Sequence, residues 1–274
     1  IKKDECKKIK RLRHTVRELK VLYNELKEER FSIVVDLQGL LRSGLIAKAT
    51  NTPLRIGFKE AREGSPLFYT HSIEGGKDVH AVDRYLRIAR YLDCDTADVQ
   101  FPFSPLPDPS LVARHLSLPD RYIVLVPGAR KPANRWPAER FGRLASMLPI
   151  KAVVTGSRGD MKLAEAVVGH SKGNAVSVAG KTDLKSLISL IRGARLVVSN
   201  DSGPMHIAAG LRVPVVAIFG PANPVRTGPY GTIHKVIRKD ISCSPCYKRT
   251  CKSPDCLDEI RVKDVASAVI DALN

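Results

Sequence analysis

The chain has 274 residues, 43% hydrophobic and 27% charged, a globular balance that excludes collagen-like and wholly disordered chains. At about 150 residues per domain it is long enough for two domains. Lys and Arg number 45 against 28 Asp and Glu, a net charge of +17, which implies an anionic partner such as nucleic acid, a membrane face or a phosphorylated substrate.

Aromatic residues make up only 5%, which weighs against stacking of single-stranded bases. No apolar run approaches the ~18 residues of a membrane span, and no charged-then-apolar leader opens the chain. Six cysteines are too few for a disulfide scaffold, so a reducing cytoplasm is the expectation. The chain opens at Ile1 rather than Met, inside a basic helix-like stretch, and a missing N-terminal piece is expected.

Residues 1–30 hold Val16, Leu19, Leu22 and Leu26 at helical spacing. The first turns carry Lys2, Lys3, Lys7, Lys8, Lys10, Arg11 and Arg13, a solvated face or an anion site. Residues 31–36 read as a buried strand, 40–49 as a helix, 54–58 as a strand, 59–71 as a loop and 81–92 as a helix. Prolines 102, 105, 107, 109 and 119 break helices and central strands and mark a domain boundary, giving domains 1–108 and 109–274.

In the second half, strands are predicted over 122–126, 152–155, 175–179, 195–199 and 213–219. Helices are predicted over 137–148, 160–169, the stretch after Thr182 as N-cap, and 204–210. Alternating short apolar strands and helices imply a parallel sheet covered on both faces. Such sheets bind ligands beyond the carboxyl ends of their strands.

Three stretches could carry chemistry. In residues 199–206, Ser-Asn-Asp-Ser-Gly-Pro-Met-His, Asp201 and Ser202 are good N-caps. Gly203 permits close backbone approach and Pro204 suits a first helical turn. The helix N-terminus that results is an anion site, and capping alone does not explain His206. In residues 126–137, Gly128, Ala129, Arg130 and Lys131 follow a strand, ahead of Asn134, Arg135, Trp136 and Pro137. Backbone N–H groups there can reach a phosphate and Arg130 can pair with one, although neither a P-loop nor a Gly-x-Gly-x-x-Gly is present. Cys243, Cys246, Cys251 and Cys256 could hold zinc or an iron–sulfur cluster, or stay free thiols, since their spacing matches neither usual pattern. Cys6 and Cys94 look incidental.

The stretch 201–208 (Asp-Ser-Gly-Pro-Met-His-Ile-Ala), followed by 219–224 (Phe-Gly-Pro-Ala-Asn-Pro), resembles glycosyltransferase family 9, the heptosyltransferases of lipopolysaccharide. Residues 36–43, Arg62 and Glu63 with 67–69, and 80–83 look most like heptosyltransferase I. The resemblance implies an α/β fold of GT-B type, two Rossmann-like domains with parallel sheets facing across a cleft, the N-terminal one lacking its first strands. It implies inverting, metal-independent transfer of heptose from ADP-L-glycero-D-manno-heptose to the Kdo region of lipid A. No cofactor is then required, and the protein is expected in the cytoplasm, peripheral on the anionic inner-membrane surface. By motif position it assigns Ala129, Arg130, Asn134, Asp160, Thr182, Asp201, Ser202, Gly203 and His206 to the donor.

Two features depart from the family. Asn134 stands where the family usually has a phosphate-gripping Lys, leaving Arg130, Lys131 or Arg135 to supply the charge. The family's general base, an Asp after its first strand, is expected N-terminal to Ile1, so no catalytic residue is nominated. Two other readings compete: a basic module binding nucleic acid or an anionic surface, and a related glycosyltransferase with another sugar nucleotide or acceptor.

Overall fold

The computed structural model describes residues 12–274. Of the basic run, Lys2 to Arg11 lie outside the described residues, and Cys6 with them. Two compact units make up the chain, the first ending at Asp98 and the second spanning Val99–Asn274. The boundary therefore precedes the proline-rich segment instead of falling within it. Prolines stop helices there, but the extended chain lies on the second unit: the Phe101 ring meets Tyr230 edge-on at 5.9 Å, and Ser189 Oγ donates to the Pro107 carbonyl at 2.8 Å.

The first unit contains α1 (Leu12–Glu28), β1 (Ile33–Asp36), α2 (Leu41–Ala49), β2 (Leu54–Phe58), β3 (His71–Ile73) and α3 (Ala81–Tyr91). Its three strands pair in parallel in the order β1-β2-β3. The sequence predicts β1 to be buried, yet Ile33 is 44% and Val35 38% exposed, because β1 is an edge strand of this sheet. Its last residue, Asp36, is buried and organises the turn into α2. Its carboxylate accepts from the N–H groups of Gln38 and Gly39, from Ser43 Oγ and, at 2.6 Å, from the Tyr69 hydroxyl. Burial alone would raise its pKa, but these donors together hold it below the ordinary value. Gly39 adopts the left-handed φ of 64° that this turn needs, and its carbonyl accepts from the Arg62 N–H at 2.8 Å. Two of the three stretches that look most like heptosyltransferase I, 36–43 and 62–69, are thus knitted together.

The second unit begins with α4 (Pro109–His115) and β4 (Tyr122–Val126). It continues through α5 (Ala138–Met147), β5 (Lys151–Val154), α6 (Met161–Gly169), β6 (Ala175–Ser177), α7 (Leu184–Gly193), β7 (Leu196–Asn200), α8 (Gly203–Gly210), β8 (Val215–Ile218), α9 (Pro224–Thr227), β9 (Lys235–Ile237), α10 (Asp255–Asp258) and α11 (Val262–Leu273). All neighbouring strands are parallel, in the order β6-β5-β4-β7-β8-β9. Counted from β4 this is 3-2-1-4-5-6, the doubly wound order of dinucleotide-binding sheets. β4, β7 and β8 are buried along their whole length, so their unbroken apolar runs follow from cover on both faces. One face packs Trp136, Phe141, Leu144, Val167 and Val269; the other packs Leu190, Ile191, Met205 and Ala208. Among the described residues no helix is long and apolar enough to cross a membrane.

Candidate functional site

The strand order reverses between β4 and β7, and the register pairs Val126 with Ser199. The carboxyl ends of these two strands are therefore side by side, where ligands of such sheets bind. The loop after β4 holds residues 127–137, and Asp201 and Ser202 lead from β7 into α8.

Asn200, fully buried, ties the two loops together. Its Nδ2 donates to the Pro127 carbonyl at 2.7 Å and its Oδ1 accepts from the Trp136 N–H at 3.1 Å. Trp136 is itself sealed in the core: its Nε1 donates to the Ile260 carbonyl at 3.2 Å and its ring meets Phe141 edge-on. Between these anchors, a 3-10 turn over Pro132–Asn134 delivers Asn134, 6% exposed. Asn134 Nδ2 donates to Asp201 Oδ2 at 2.8 Å.

Neither expected cap closes α8. The Asp201 side chain is taken by Asn134, and Ser202, the residue at the cap position, pairs its Oγ with Ser199 Oγ at 3.0 Å. No side chain caps the helix, so its first turn keeps backbone N–H groups and a positive dipole end for an anion. A Cβ built on Gly203 would meet nothing within 4 Å; the turn faces open space. Burial pushes the Asp201 pKa up, and the charges of His206 and Lys131 with the Asn134 bond offset only part of that rise.

Of the three cations considered for this loop, Lys131 is the one whose charge acts on Asp201. Arg130 is exposed, and Arg135 spends its Nε on the carbonyl of buried Ala129 at 2.8 Å. Asp160 Oδ2 accepts from the Ser157 N–H and Oγ at 3.0 and 2.6 Å. A Cβ on Gly128 would lie 3.2 Å from its carboxyl carbon, so Asp160 does border the loop after β4. Thr182 is not the cap of α7; Asp183 is, accepting from the Ser186 N–H at 2.7 Å.

Cys243, Cys246, Cys251 and Cys256 are free thiols. Burial, and then the charges of the other three, pushes the Cys256 thiol up. Among the described residues no group of three or more His, Cys, Asp or Glu side chains is placed to hold a metal ion. The segment borders the loop after β4. The N–H groups of Cys246 and Tyr247 donate to the Pro221 carbonyl at 3.1 and 2.8 Å, and the Ala133 N–H to Arg249 O at 3.2 Å. Lys131 Nζ lies 3.4 Å from the Tyr247 carbonyl. Asn200 escapes sequence reasoning; its signal is an amide at the end of a strand that opens on an apolar run, Leu196 to Val198.

The sequence profile of glycosyltransferase family 9 (heptosyltransferase) matches residues 20–256. The chain belongs to this family. It is 26% identical over 224 residues to the lipopolysaccharide core heptosyltransferase OpsX of Haemophilus influenzae, covering 79% of this chain and 65% of that protein. It is 29% identical over 236 residues to lipopolysaccharide heptosyltransferase 1 of Pseudomonas aeruginosa, covering 82% of this chain and 64% of that one. The chain thus spans about two thirds of the length of these relatives. The structure of E. coli ADP-heptose lps heptosyltransferase II superposes with a TM-score of 0.70 at 25% identity, over 94% of this chain and 81% of that one. The fold is therefore α/β of GT-B type. Proteins named for type 1 and for type II both match, so the nearer likeness to heptosyltransferase I seen in short motifs does not separate the two.

Proposed function

We propose that the second unit binds the donor of a heptosyltransferase reaction, ADP-L-glycero-D-manno-heptose, and that the protein passes heptose to the lipopolysaccharide core. The observation that carries this reading is the uncapped N-terminus of α8 at the strand switch point, beside the Asn134–Asp201 pair. The diphosphate would take the free N–H groups of α8, with Lys131 at its flank. Negative charge grows on that group as ADP leaves, and fixed donors aimed at it stabilise the transition state. The acceptor in this reading is the Kdo region of lipid A, and the transfer inverts the anomeric centre with positive charge from the helix end and Lys131 rather than from a catalytic metal. The work would be done at the cytoplasmic face of the inner membrane, where a net charge of +17 suits anionic lipid.

Calorimetric titration with ADP, with AMP and NAD as controls, tests this. Binding is expected to survive moderate salt, whereas the steep salt dependence of a general polyanion site would favour a basic binding module. Gly203→Asp is the informative variant. Its side chain enters open space, and an acid in the first turn favours the helix, so the fold should hold. It opposes a diphosphate, and ADP affinity should fall by about tenfold or more, roughly 1.4 kcal/mol. Unchanged ADP affinity in this variant, or no ADP binding by the folded parent chain, would overturn the assignment.

A further inference from the structure

The donor-side loops contain a buried polar atom that the structure leaves unpaired. Asn134 is 6% exposed. Its Nδ2 is committed to Asp201 at 2.8 Å, and its Oδ1 is out of water with no hydrogen-bond partner. The amide orientation is fixed by chemistry, because an ionised carboxylate only accepts and so faces the NH2 end. An unsatisfied buried carbonyl is destabilising, so such an atom on the loop after β4, beside Asp201, points to a donor that arrives with the ligand.

The site is divided in two. The α8 N-terminus and Lys131 offer positive charge and donors, which suit phosphate oxygens. Asn134 Oδ1 and the Asp201 carboxylate are acceptors, and they would repel phosphate rather than hold it. This corner calls for hydroxyl groups next to the diphosphate, which a glycosyl diphosphate supplies on its sugar ring.

We propose that Asn134 is a specificity-determining residue whose free Oδ1, beside the Asp201 carboxylate, takes a hydrogen bond from a hydroxyl of the sugar carried on the nucleoside diphosphate. This rests on the donor-site reading above and deepens it: α8 and Lys131 set affinity for the diphosphate, and the Asn134–Asp201 pair sets preference for the sugar. A buried acceptor built for a hydroxyl also discriminates strongly against a ligand that lacks it.

The test is titration of the full chain with ADP and with ADP-heptose, comparing Asn134→Leu and Asp201→Asn with the parent. The first removes the free acceptor, and the donor to Asp201 with it, while keeping the number and branching of side-chain heavy atoms. The second keeps side-chain volume and an acceptor for the Asn134 amide, so it guards against failure of the first to fold. In both, ADP should bind within about twofold of the parent, while the advantage of ADP-heptose over ADP shrinks about tenfold. A structural role alone would lower both ligands together. Equal losses for the two ligands, or an unchanged ratio in the folded variants, overturn the assignment of Asn134 while leaving the donor site standing. A parent chain that binds neither ligand overturns both.

Discussion

Asp201 follows β7 with its carboxylate drawn out of water. Burial pushes its pKa up, and His206, Lys131 and Asn134 restore only part of the difference. A carboxyl whose pKa rises on folding favours the folded state while protonated. That contribution is complete below the ordinary value of 3.8 and is lost as pH rises through the folded-state pKa, so at neutral pH the ionised group opposes folding. Asp201→Asn should therefore raise stability at pH 7, and the gain should vanish in acid below pH 3.8. Urea melts at pH 7 and pH 3 check this; a variant less stable than the parent at pH 7 would mean that Asp201 stabilises the fold. The same substitution weakens the preference for a sugar nucleotide, so stability and specificity should move in opposite directions. The run 201–206 makes these residues visible in the sequence, but it offers Asp201 and Ser202 as helix caps. The structure diverts both, one to Asn134 from a distant loop and one to Ser199, and that diversion leaves the helix end free.

The strands β4, β7 and β8 are legible in the sequence because each is an apolar run long enough to stand out, and burial on both faces keeps it unbroken. β3 and β9 have three residues each, too few to show a period, and pairing with a neighbour is what makes them strands. β1 shows its apolar run but not its exposure, since edge position is a property of the sheet. The α7 cap slips from Thr182 to Asp183 because both side chains can accept from a first-turn N–H and only the backbone decides. The tie between β7 and the loop after β4 could not be read at all: Asn200 and Pro127 are 73 positions apart. Asn200→Ala should cut that tie, leaving the Pro127 carbonyl and the Trp136 N–H unpaired in the core, a loss of about 2–6 kcal/mol for two buried groups. Chemical denaturation would show it as a lower midpoint at constant slope, with a smaller advantage of ADP-heptose over ADP as Asn134 loses its placement. A midpoint unchanged from the parent would mean that core packing, not Asn200, holds the loops.

At the scale of the whole chain, the residues assigned to the donor all lie beyond Val99, the first residue of the second unit. That unit has its own six-stranded sheet with buried cores on both faces and a size typical of an autonomous domain. The first unit has a three-stranded sheet and a buried apolar cluster of Ile56, Phe58 and Ile88. Large apolar side chains there, among them Ile33, Val35, Leu45 and Ile46, remain exposed. Donor binding and its supporting fold should therefore separate from the rest of the chain. Expressed alone, residues 99–274 are expected to fold cooperatively and to bind ADP with a Kd within about twofold of the full chain, and ligand should raise the melting midpoint of the isolated unit by mass action. Circular dichroism with calorimetric titration of the isolated unit decides the matter. A folded unit that no longer binds ADP would move part of the nucleotide site into residues before Val99, and the roles given to α8 and Lys131 would have to be shared with the first unit.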